Sequence, residues 1–576
     1  MYRTHTCGEL TKKEVGKEVT LSGWVNSVRQ HGGINFVNLR DRYGVTQLVF
    51  DKDLDGLSEL KNEYVVKIVG KVRARPDNLV NKEMKTGEVE VTVKELKILN
   101  RCSVLPLDLS GKVESTDETR LKYRYLDLRR PEHMELILFR HEVVKAFREA
   151  MDKEGFVEIE TPMLVKATPE GARDYIVPSR VNPGQVYALP QSPQLYKQIL
   201  MVAGFDKYYQ LARCLRDEDL RADRQPEHTQ VDFEMSFVTS DDIRATFEKV
   251  VKHVFKKTMK KDIKDFKTIS YDEAMTRYGT DKPDIRFGVE LHDVTETVKK
   301  SDFNVFKETG HTVALVVDKE LSRKEIDKLG EVAKTYKAKG LAWLKMAEGK
   351  LDGGVAKFLG EEVQKDLIET LKLKDGKTIL FVSDRTRQAQ SAMGQVRLAV
   401  RDLLGLVKKD DFVFAWVVDF PLFHFNEDEQ KWEPEHHMFS MPKPEFVDDF
   451  EQRPEEVLGD LWDLTLNGWE MASGSIRVSN PDVQKRIMNF IGFDESEAER
   501  KFGFLLEAYR YGGPPHGGMG FGVERLIALM KGLDDIREVM AFPKNKNAQC
   551  PMDGCPSRAD DSALKELHVK FVELEK

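Results

Sequence analysis

Arginines crowd residues 213–234, RCLRDEDLRADRQPEHTQVDFE, where Arg213, Arg216, Arg221 and Arg224 are interleaved with aspartates and glutamates. A charge run of this kind, taken alone, reads as a solvated hairpin whose ion pairs contribute little. A second segment, HGGMGFGVERLIALM at 516–530, sets glycines beside Arg525 at the opening of an apolar helix, where backbone can approach a flat or anionic ligand. The chain has no GxxxxGK(S/T) and no GxGxxG opening a strand–helix–strand unit. A nucleotide handled here would therefore have its phosphates met by arginine forks rather than by a phosphate-cradling loop.

Such side chains need a scaffold. Residues 19–107 read as short strands, because VTLSGWV, INFVNLRD and VTQLVFD carry β-branched and aromatic residues and Asp41-Arg42-Tyr43-Gly44 has hairpin chemistry. YVVKIVGKVRARP and GEVEVTVKELKIL continue the series, so a five-stranded antiparallel barrel of the oligonucleotide-binding kind and a generic small all-β domain are equal readings of the pattern. A charged connection at 108–130 leads into a helix with Leu136, Phe139, Val143, Phe147 and Met151 on one face, ended by Gly155. Strands such as FVFAWVVDF then alternate with helical segments over 131–285 and 406–543, which predicts one domain interrupted in sequence by a unit at 286–405. Within that unit, Ser322 and Glu325 form a capping-box pattern opening a helix that Gly340 is placed to close, and TILFVSD reads as a strand.

Composition bounds the class. At 576 residues the chain exceeds what one core can serve, and 40% hydrophobic with 33% charged residues is the balance of a folded multidomain protein. No apolar run is long enough for a membrane helix, and MYRTHTCGEL has no basic-then-apolar leader, so a cytoplasmic protein without membrane partners is expected. The net charge of −8 neither supports nor excludes nucleic acid, since phosphate recognition needs only a local basic face. Five scattered cysteines read as reduced thiols; Cys550 and Cys555 have a spacing found in some metal sites, but no second Cys/His pair accompanies them.

In order and at full length, these pieces resemble the class II aminoacyl-tRNA synthetases. GFVEIETPML (155–164) is similar to the family's first motif, with Pro162 ending a strand used at the dimer interface; residues 213–234 resemble the second and FGVERL (521–526) the third. ATPEGARDY (167–175), QSPQLYKQILM (191–201), NGWEMASGSIR (467–477) and residues 536–557 resemble the aspartate-specific, bacterial-type branch. The resemblance implies an α+β multidomain fold: an N-terminal OB-fold barrel for the anticodon at 1–107, a hinge at 108–130, an antiparallel-sheet catalytic domain with helices at 131–285 and 406–576, the latter part with a C-terminal extension, and an inserted α/β (GAD-type) domain at 286–405. It also implies a homodimer, L-aspartate, ATP and tRNA(Asp) as substrates, and Mg2+ as cofactor.

Roles carry over by motif position. Arg216 would hold the α-phosphate and the attacking carboxylate, and Arg525 the γ-phosphate end. Asp217, Glu218, Gln225, His228, Glu470, Gly522, Val523, Glu524 and Arg525 would surround ATP with Arg216. Asp463 and Glu470, whose types and spacing are also ordinary for surface acids, match the magnesium ligands. Arg477 and Lys197 match a clamp on the aspartate side chain, where asparagine would leave two buried cations uncompensated. Glu170, Ser192, Gln194 and Asp232 would complete the aspartate site with Arg216, and His436 would close over it, although adjacent His436 and His437 could also suggest a metal. Arg29, Phe36 and Gln47 match anticodon-binding positions; a Phe36 buried in the barrel core is the competing reading.

Two positions depart from the family's commonest pattern: His228, and Val523-Glu524 in the third motif, where bacterial relatives often have Leu-Asp before the arginine, a change that leaves Arg525 in place. His228 replaces the phenylalanine that many members stack on adenine, and an imidazole stacks more weakly and can titrate. His31 in RQHGGINF resembles members that also charge tRNA(Asn). Two rivals remain open: the asparaginyl sibling, opposed by Arg477, Lys197 and the insertion, and a non-catalytic RNA-binding paralogue, opposed by intact Arg216, Arg525, Asp463 and Glu470.

Overall fold

The computed structural model describes residues 1–31, 34–50, 54–168 and 172–572, which divide into two compact units, Met1–Thr119 and Arg120–Lys576. In the first unit, β1 (Glu18–His31), β2 (Ile34–Asp41), β3 (Gly44–Phe50), β4 (Val65–Ala74) and β5 (Val89–Asn100) close a barrel in the order β1-β2-β3-β5-β4. Alternate residues, among them Val19, Leu21, Val37, Leu39, Leu48, Val66 and Ile68, fill the interior. The Asp41–Gly44 turn forms as expected, with Asp41 Oδ1 accepting the Tyr43 and Gly44 N–H at 2.8 and 3.2 Å. Strictly antiparallel pairing was expected, yet β3 and β5 run parallel, Leu48 opposite Val91. An odd number of strands cannot alternate direction all the way round a closed barrel, so one seam must be parallel.

In the second unit the strands are β6 (Val157–Glu158), β7 (Ile176–Pro178), β8 (Val186–Ala188), β9 (Lys207–Leu215), β10 (Glu227–Ser236) and β11 (Lys267–Ser270). They continue as β12 (Leu291–Asp293), β13 (His311–Val317), β14 (Ala342–Ala347), β15 (Lys350–Asp352), β16 (Thr378–Asp384) and β17 (Phe414–Val418). The last are β18 (Phe423–Asn426), β19 (Lys431–Pro434), β20 (Leu461–Leu466), β21 (Trp469–Ile476) and β22 (His516–Gly522). Eight of them form one sheet, β11-β17-β20-β21-β22-β10-β9-β6, antiparallel from β17 to β9 with parallel strands at both edges. Strand β6 stops at Glu158, short of Pro162: backbone pairing with β9 ends with Ile159 N–H on Tyr209 O at 3.1 Å, and Thr161 N–H turns instead to the Gln210 side chain, at 3.2 Å.

Helices Pro131–Lys153 and Ser240–Met259 cover one face of this sheet, where Phe147, Phe521, Phe247 and Phe233 contact in that order, successive ring centroids 5.6, 5.2 and 5.1 Å apart. Gly155, at φ +82°, follows the first helix in the left-handed conformation anticipated for it.

Strands β12, β13, β16, β14 and β15 form a separate five-stranded sheet. Val313, Leu315 and Val382 feed one core and Ala314, Ile379 and Phe381 another, so β13 and β16 are apolar on both faces and HTVALVV and TILFVSD read as continuous runs. The Ser322–Glu325 capping box opens the helix Arg323–Thr335. Its end differs from expectation: Lys337, at φ +66°, turns the chain before Gly340 is reached. Fully buried Arg397 ties the helix Thr386–Leu404 back to the chain at 284–287, donating to the carbonyls of Asp284 and Phe287 at 3.0 and 3.1 Å.

Candidate active site

The two-residue period of a strand sorts the sheet into faces. Val231, Phe233, Met519, Phe521, Trp462 and Leu464 pack under the helices, so Asp232, Glu234, Gly518, Gly520 and Asp463 belong to the opposite face. Glu234 lies opposite Gly518 and Asp232 opposite Gly520. A Cβ at 518 would run into the Phe233 carbonyl and the Glu234 carboxylate, and one at 520 would come within 2.8 Å of Gln230 Oε1. Those glycines therefore answer to neighbouring strands rather than to a ligand. At Gly522 a Cβ would meet only ordinary contacts, 3.7 Å from Met471 O and 3.8 Å from Arg525 Cδ.

Over this face opens a cavity of about 320 Å³. Ser192, Gln194, Lys197, Arg216, Glu218, Gln225, His228, Asp232, His436, Glu470, Arg477, Gly522, Glu524 and Arg525 line it, drawn from segments more than three hundred residues apart. Three of the expected residues lie off its wall. Val523 is buried in the sheet–helix core, Asp217 pairs with Arg173 through backbone bonds, and Asp463 stands behind His436. Glu170 lies outside the described residues.

At one end sits a buried four-charge cluster. Lys197 Nζ reaches Asp232 Oδ2 at 3.0 Å and Glu234 Oε2 at 3.2 Å, while Arg477 donates from Nε and Nη2 to the two oxygens of Glu234 at 2.8 and 3.2 Å. Arg477 Nη1 also donates to His437 Nε2 at 2.7 Å, and burial, with Arg477 beside it, holds the His437 imidazole neutral, its pKa well below the usual value. Burial pushes Asp232 up to about 6 against the pull of Lys197, whereas Arg477 and Lys197 outweigh burial at Glu234 and keep it ionised. The cation pair that an asparagine ligand was expected to leave uncompensated is balanced within the protein by two carboxylates. Glu234 was missed by sequence reasoning, although its position two residues beyond Asp232 on a strand puts both on one face.

The other end is built of arginines. Arg525 Nη1 donates to Glu470 O at 2.7 Å and Nη2 to Asp223 Oδ2 at 3.3 Å, and Arg224 Nη1 donates to Glu218 Oε2 at 2.9 Å. Half-buried His228 stands between Arg216, Arg525 and Arg213; burial and their charges drive its pKa down to about 3, so the ring does not titrate near neutrality as the bare residue type suggested. Two of the expected nucleotide residues are spoken for within the protein. Gln225 Oε1 accepts from Lys544 N–H at 2.8 Å, and Glu524 accepts from Thr229 N–H at 3.1 Å and Arg140 Nη2 at 2.7 Å.

Between the ends, Gln194 Nε2, Arg216 Nε, Asp232 Oδ1 and His436 Nδ1 are buried with no hydrogen-bond partner among the described residues. Buried polar atoms left unpaired each cost about 1–3 kcal/mol, so four around one cavity mark where a polar ligand's groups would be accepted. His436 Nε2 lies 3.1 Å from Asp463 Oδ1; burial disfavours the imidazolium, but Asp463 outweighs it and raises the pKa. Burial and the nearby Asp463 charge likewise raise the Glu470 carboxyl.

In the N-terminal unit, register sets Arg29 opposite Phe36, and Gln47 beside them across β2 and β3. Phe36 is half-buried and absent from the barrel core, on the outward side of a strand whose Val37 and Leu39 face in. Arg29 and His31 are exposed, and Gln47 Nε2 donates to Glu90 Oε2 at 2.8 Å.

Residues 116–546 match the family described as tRNA synthetases class II (D, K and N), and residues 19–99 match the OB-fold nucleic acid binding domain. The chain is 51% identical to the aspartate–tRNA(Asp/Asn) ligase of Treponema denticola, with 100% of both chains covered. It is 47% identical to the aspartate–tRNA ligase of Bacillus licheniformis, covering 99% of this chain and 98% of the relative. The asparaginyl-tRNA synthetase of Pyrococcus horikoshii, solved with asparaginyl-adenylate, superposes with a TM-score of 0.59 over 94% of this chain and 98% of that one; at 21% identity the likeness concerns the fold.

Proposed function

The chain belongs to the class II tRNA synthetases of the D, K and N group, and from that premise we propose how its cavity performs aspartate–tRNA ligation with ATP as substrate. The observation that carries the assignment of residues is the convergence of unpartnered buried atoms, Arg216 Nε, Gln194 Nε2 and Asp232 Oδ1, on one cavity. The aspartate α-carboxylate attacks the α-phosphorus of ATP, the bond to pyrophosphate breaks, and the terminal ribose hydroxyl of tRNA then attacks the mixed anhydride and releases AMP. Arg216 binds the α-phosphate and the attacking carboxylate together, so the fork that orients the nucleophile also meets the charge developing in the transition state. Asp232, Ser192, the amide oxygen of Gln194 and Glu170 hold the ammonium end, and Lys197 and Arg477 the side-chain carboxylate, with Glu234 fixing both cations in place. Arg525, steadied by the Glu470 carbonyl, faces the γ-phosphate end; His228, Glu218 and Gln225 surround the base, and Gly522 and Glu524 complete the wall around them, while Asp217 and Val523 stand off that wall.

Asp463 and Glu470 would hold Mg2+. Their fit is supported by the raised Glu470 carboxyl: two acids crowded together under burial are relieved by a divalent cation. When bound, the ion neutralises phosphate charge and orients the leaving pyrophosphate. tRNA supplies the second substrate, with Arg29, Phe36 and Gln47 contacting the anticodon, in the cytoplasm. Homodimerisation is supported by the exposed apolar residues Val157, Met163 and Leu164 around Pro162. Exposed His31 and the Asp/Asn designation of the Treponema denticola relative support use of tRNA(Asn) as a second acceptor.

The test is ATP–pyrophosphate exchange with aspartate, asparagine or lysine, followed by aspartylation of purified tRNA(Asp) and tRNA(Asn). Exchange with aspartate alone, and product on both tRNAs, is expected. Exchange driven equally by asparagine would overturn the amino-acid assignment, and background product on tRNA(Asn) would remove the second acceptor.

A further inference from the structure

Beyond the cavity, the chain doubles back at residues 550–555 in a way that gathers soft and hard donor atoms. Cys550 and Cys555 face each other across an isolated antiparallel bridge, Cys550 N–H donating to Cys555 O at 2.8 Å and Gly554 N–H to Cys550 O at 2.9 Å. Gly554, at φ +78°, makes the reversal possible. The residue before it, Asp553, folds inward, its Oδ1 accepting the Cys555 N–H at 3.0 Å. The two sulfurs and a carboxylate oxygen all lie within 4.8 Å of one another. A tetrahedral ion with metal–sulfur bonds of about 2.3 Å separates its sulfurs by about 3.8 Å, so the triangle needs little closing to share one ion.

We propose that Cys550, Asp553 and Cys555 form a binding site for a soft divalent cation of the zinc class, with a fourth position open to water. The sequence raised the cysteine spacing but looked for a second Cys/His pair; the third donor is a carboxylate inside the loop. Binding breaks two S–H bonds, forms two metal–sulfur bonds and releases two protons to solvent, with no change of oxidation state. Two thiolates and a carboxylate around a dication leave a net charge of −1. Entry is open, since Cys550 is buried but Cys555 is half-buried and Asp553 exposed. Asp463 and Glu470 offer only oxygen and select a hard ion, so the two metals would not compete for one site. Lys544, whose backbone N–H holds Gln225 on the cavity wall, precedes the loop by six residues.

Titration of the reduced full-length protein with Co2+ tests this. The expected result is thiolate-to-cobalt charge-transfer absorption that saturates at one ion per chain and disappears on adding Zn2+. Cys555→Ser should abolish the band, Cys102→Ser should leave it unchanged, and Asp553→Asn, at an exposed position that spares the fold, should weaken binding by about tenfold or more. No charge-transfer band in the reduced protein, or a band that survives in Cys555→Ser, overturns the proposal.

Discussion

At the residue scale, two side chains in the cavity make opposite use of burial. Asp232 has its pKa raised to about 6 from 3.8, so below that pH it keeps its proton and offers an ammonium no full negative charge. Its raised value means the neutral form is the one stabilised by folding; that contribution is present at low pH and fades as pH rises through about 6, just where the charged form becomes available to substrate. The KM for aspartate should fall as pH rises from about 5 to about 7.5, with its inflection near the Asp232 value, and Asp232→Asn should flatten the profile. A wild-type profile without an inflection in that window removes Asp232 from the ammonium site. His228 is the converse case: burial and three guanidiniums drive its pKa down to about 3, so its ring is neutral throughout that range and adds no inflection to the KM for ATP. His228→Phe supplies a larger aromatic face and should lower the KM for ATP by about twofold to tenfold, the worth of a better-stacked ring, with kcat little changed. An unchanged or raised KM would mean that the base lies elsewhere.

At the element scale, what holds the cavity open is the joint between β10, the helix Val523–Met530 and the helix Pro131–Lys153. Glu524 makes it, taking Thr229 N–H on the strand and Arg140 on the first helix while itself only 2% exposed. Glu524→Ala leaves the buried Thr229 N–H unpaired and strips the Arg140 guanidinium of its carboxylate, leaving it only the Thr229 hydroxyl and the Val539 carbonyl. The loss should be about 3 kcal/mol, the low end for a broken buried pair because Arg140 keeps some solvent. A drop in the thermal midpoint with the KM for ATP little changed would identify Glu524 as a joint; a large rise in KM at unchanged stability would make it a nucleotide ligand. The sequence made the elements legible where period and turn chemistry agree, as in INFVNLRD and TILFVSD, which span β2 and β16 residue for residue. It did not make their neighbours legible. That β22 sits between β21 and β10, some 280 residues earlier in the chain, follows from packing, and so do the partners that register dictates. Arg477 and Lys197 were visible as cations, but Glu234, which fixes both, becomes meaningful only once β10 is laid against β22. The parallel seam of the barrel was hidden for a different reason: it is a consequence of closure, a property of five strands together and of none of their sequences.

At the scale of the whole molecule, the chemistry divides along the chain. Every residue around the cavity lies past residue 119, whereas Arg29, Phe36 and Gln47 belong to the barrel unit, so amino-acid activation and tRNA selection can be perturbed separately. Phe36 is the sharpest probe, since its ring lies outside the barrel core and its removal opens no cavity there. If it stacks on an unpaired base, Phe36→Ala should raise the KM for tRNA by the value of one stacked base, about 1–3 kcal/mol or roughly five- to 150-fold. Aspartate-dependent ATP–pyrophosphate exchange, measured without tRNA, should stay at the wild-type rate. The two assays together discriminate, because a barrel that merely lost stability would melt earlier, whereas a lost stacking contact leaves the melt unchanged and weakens only tRNA. Equal KM values for tRNA in Phe36→Ala and wild type would move the anticodon contact off this face of the barrel, while leaving the assignment of the cavity untouched.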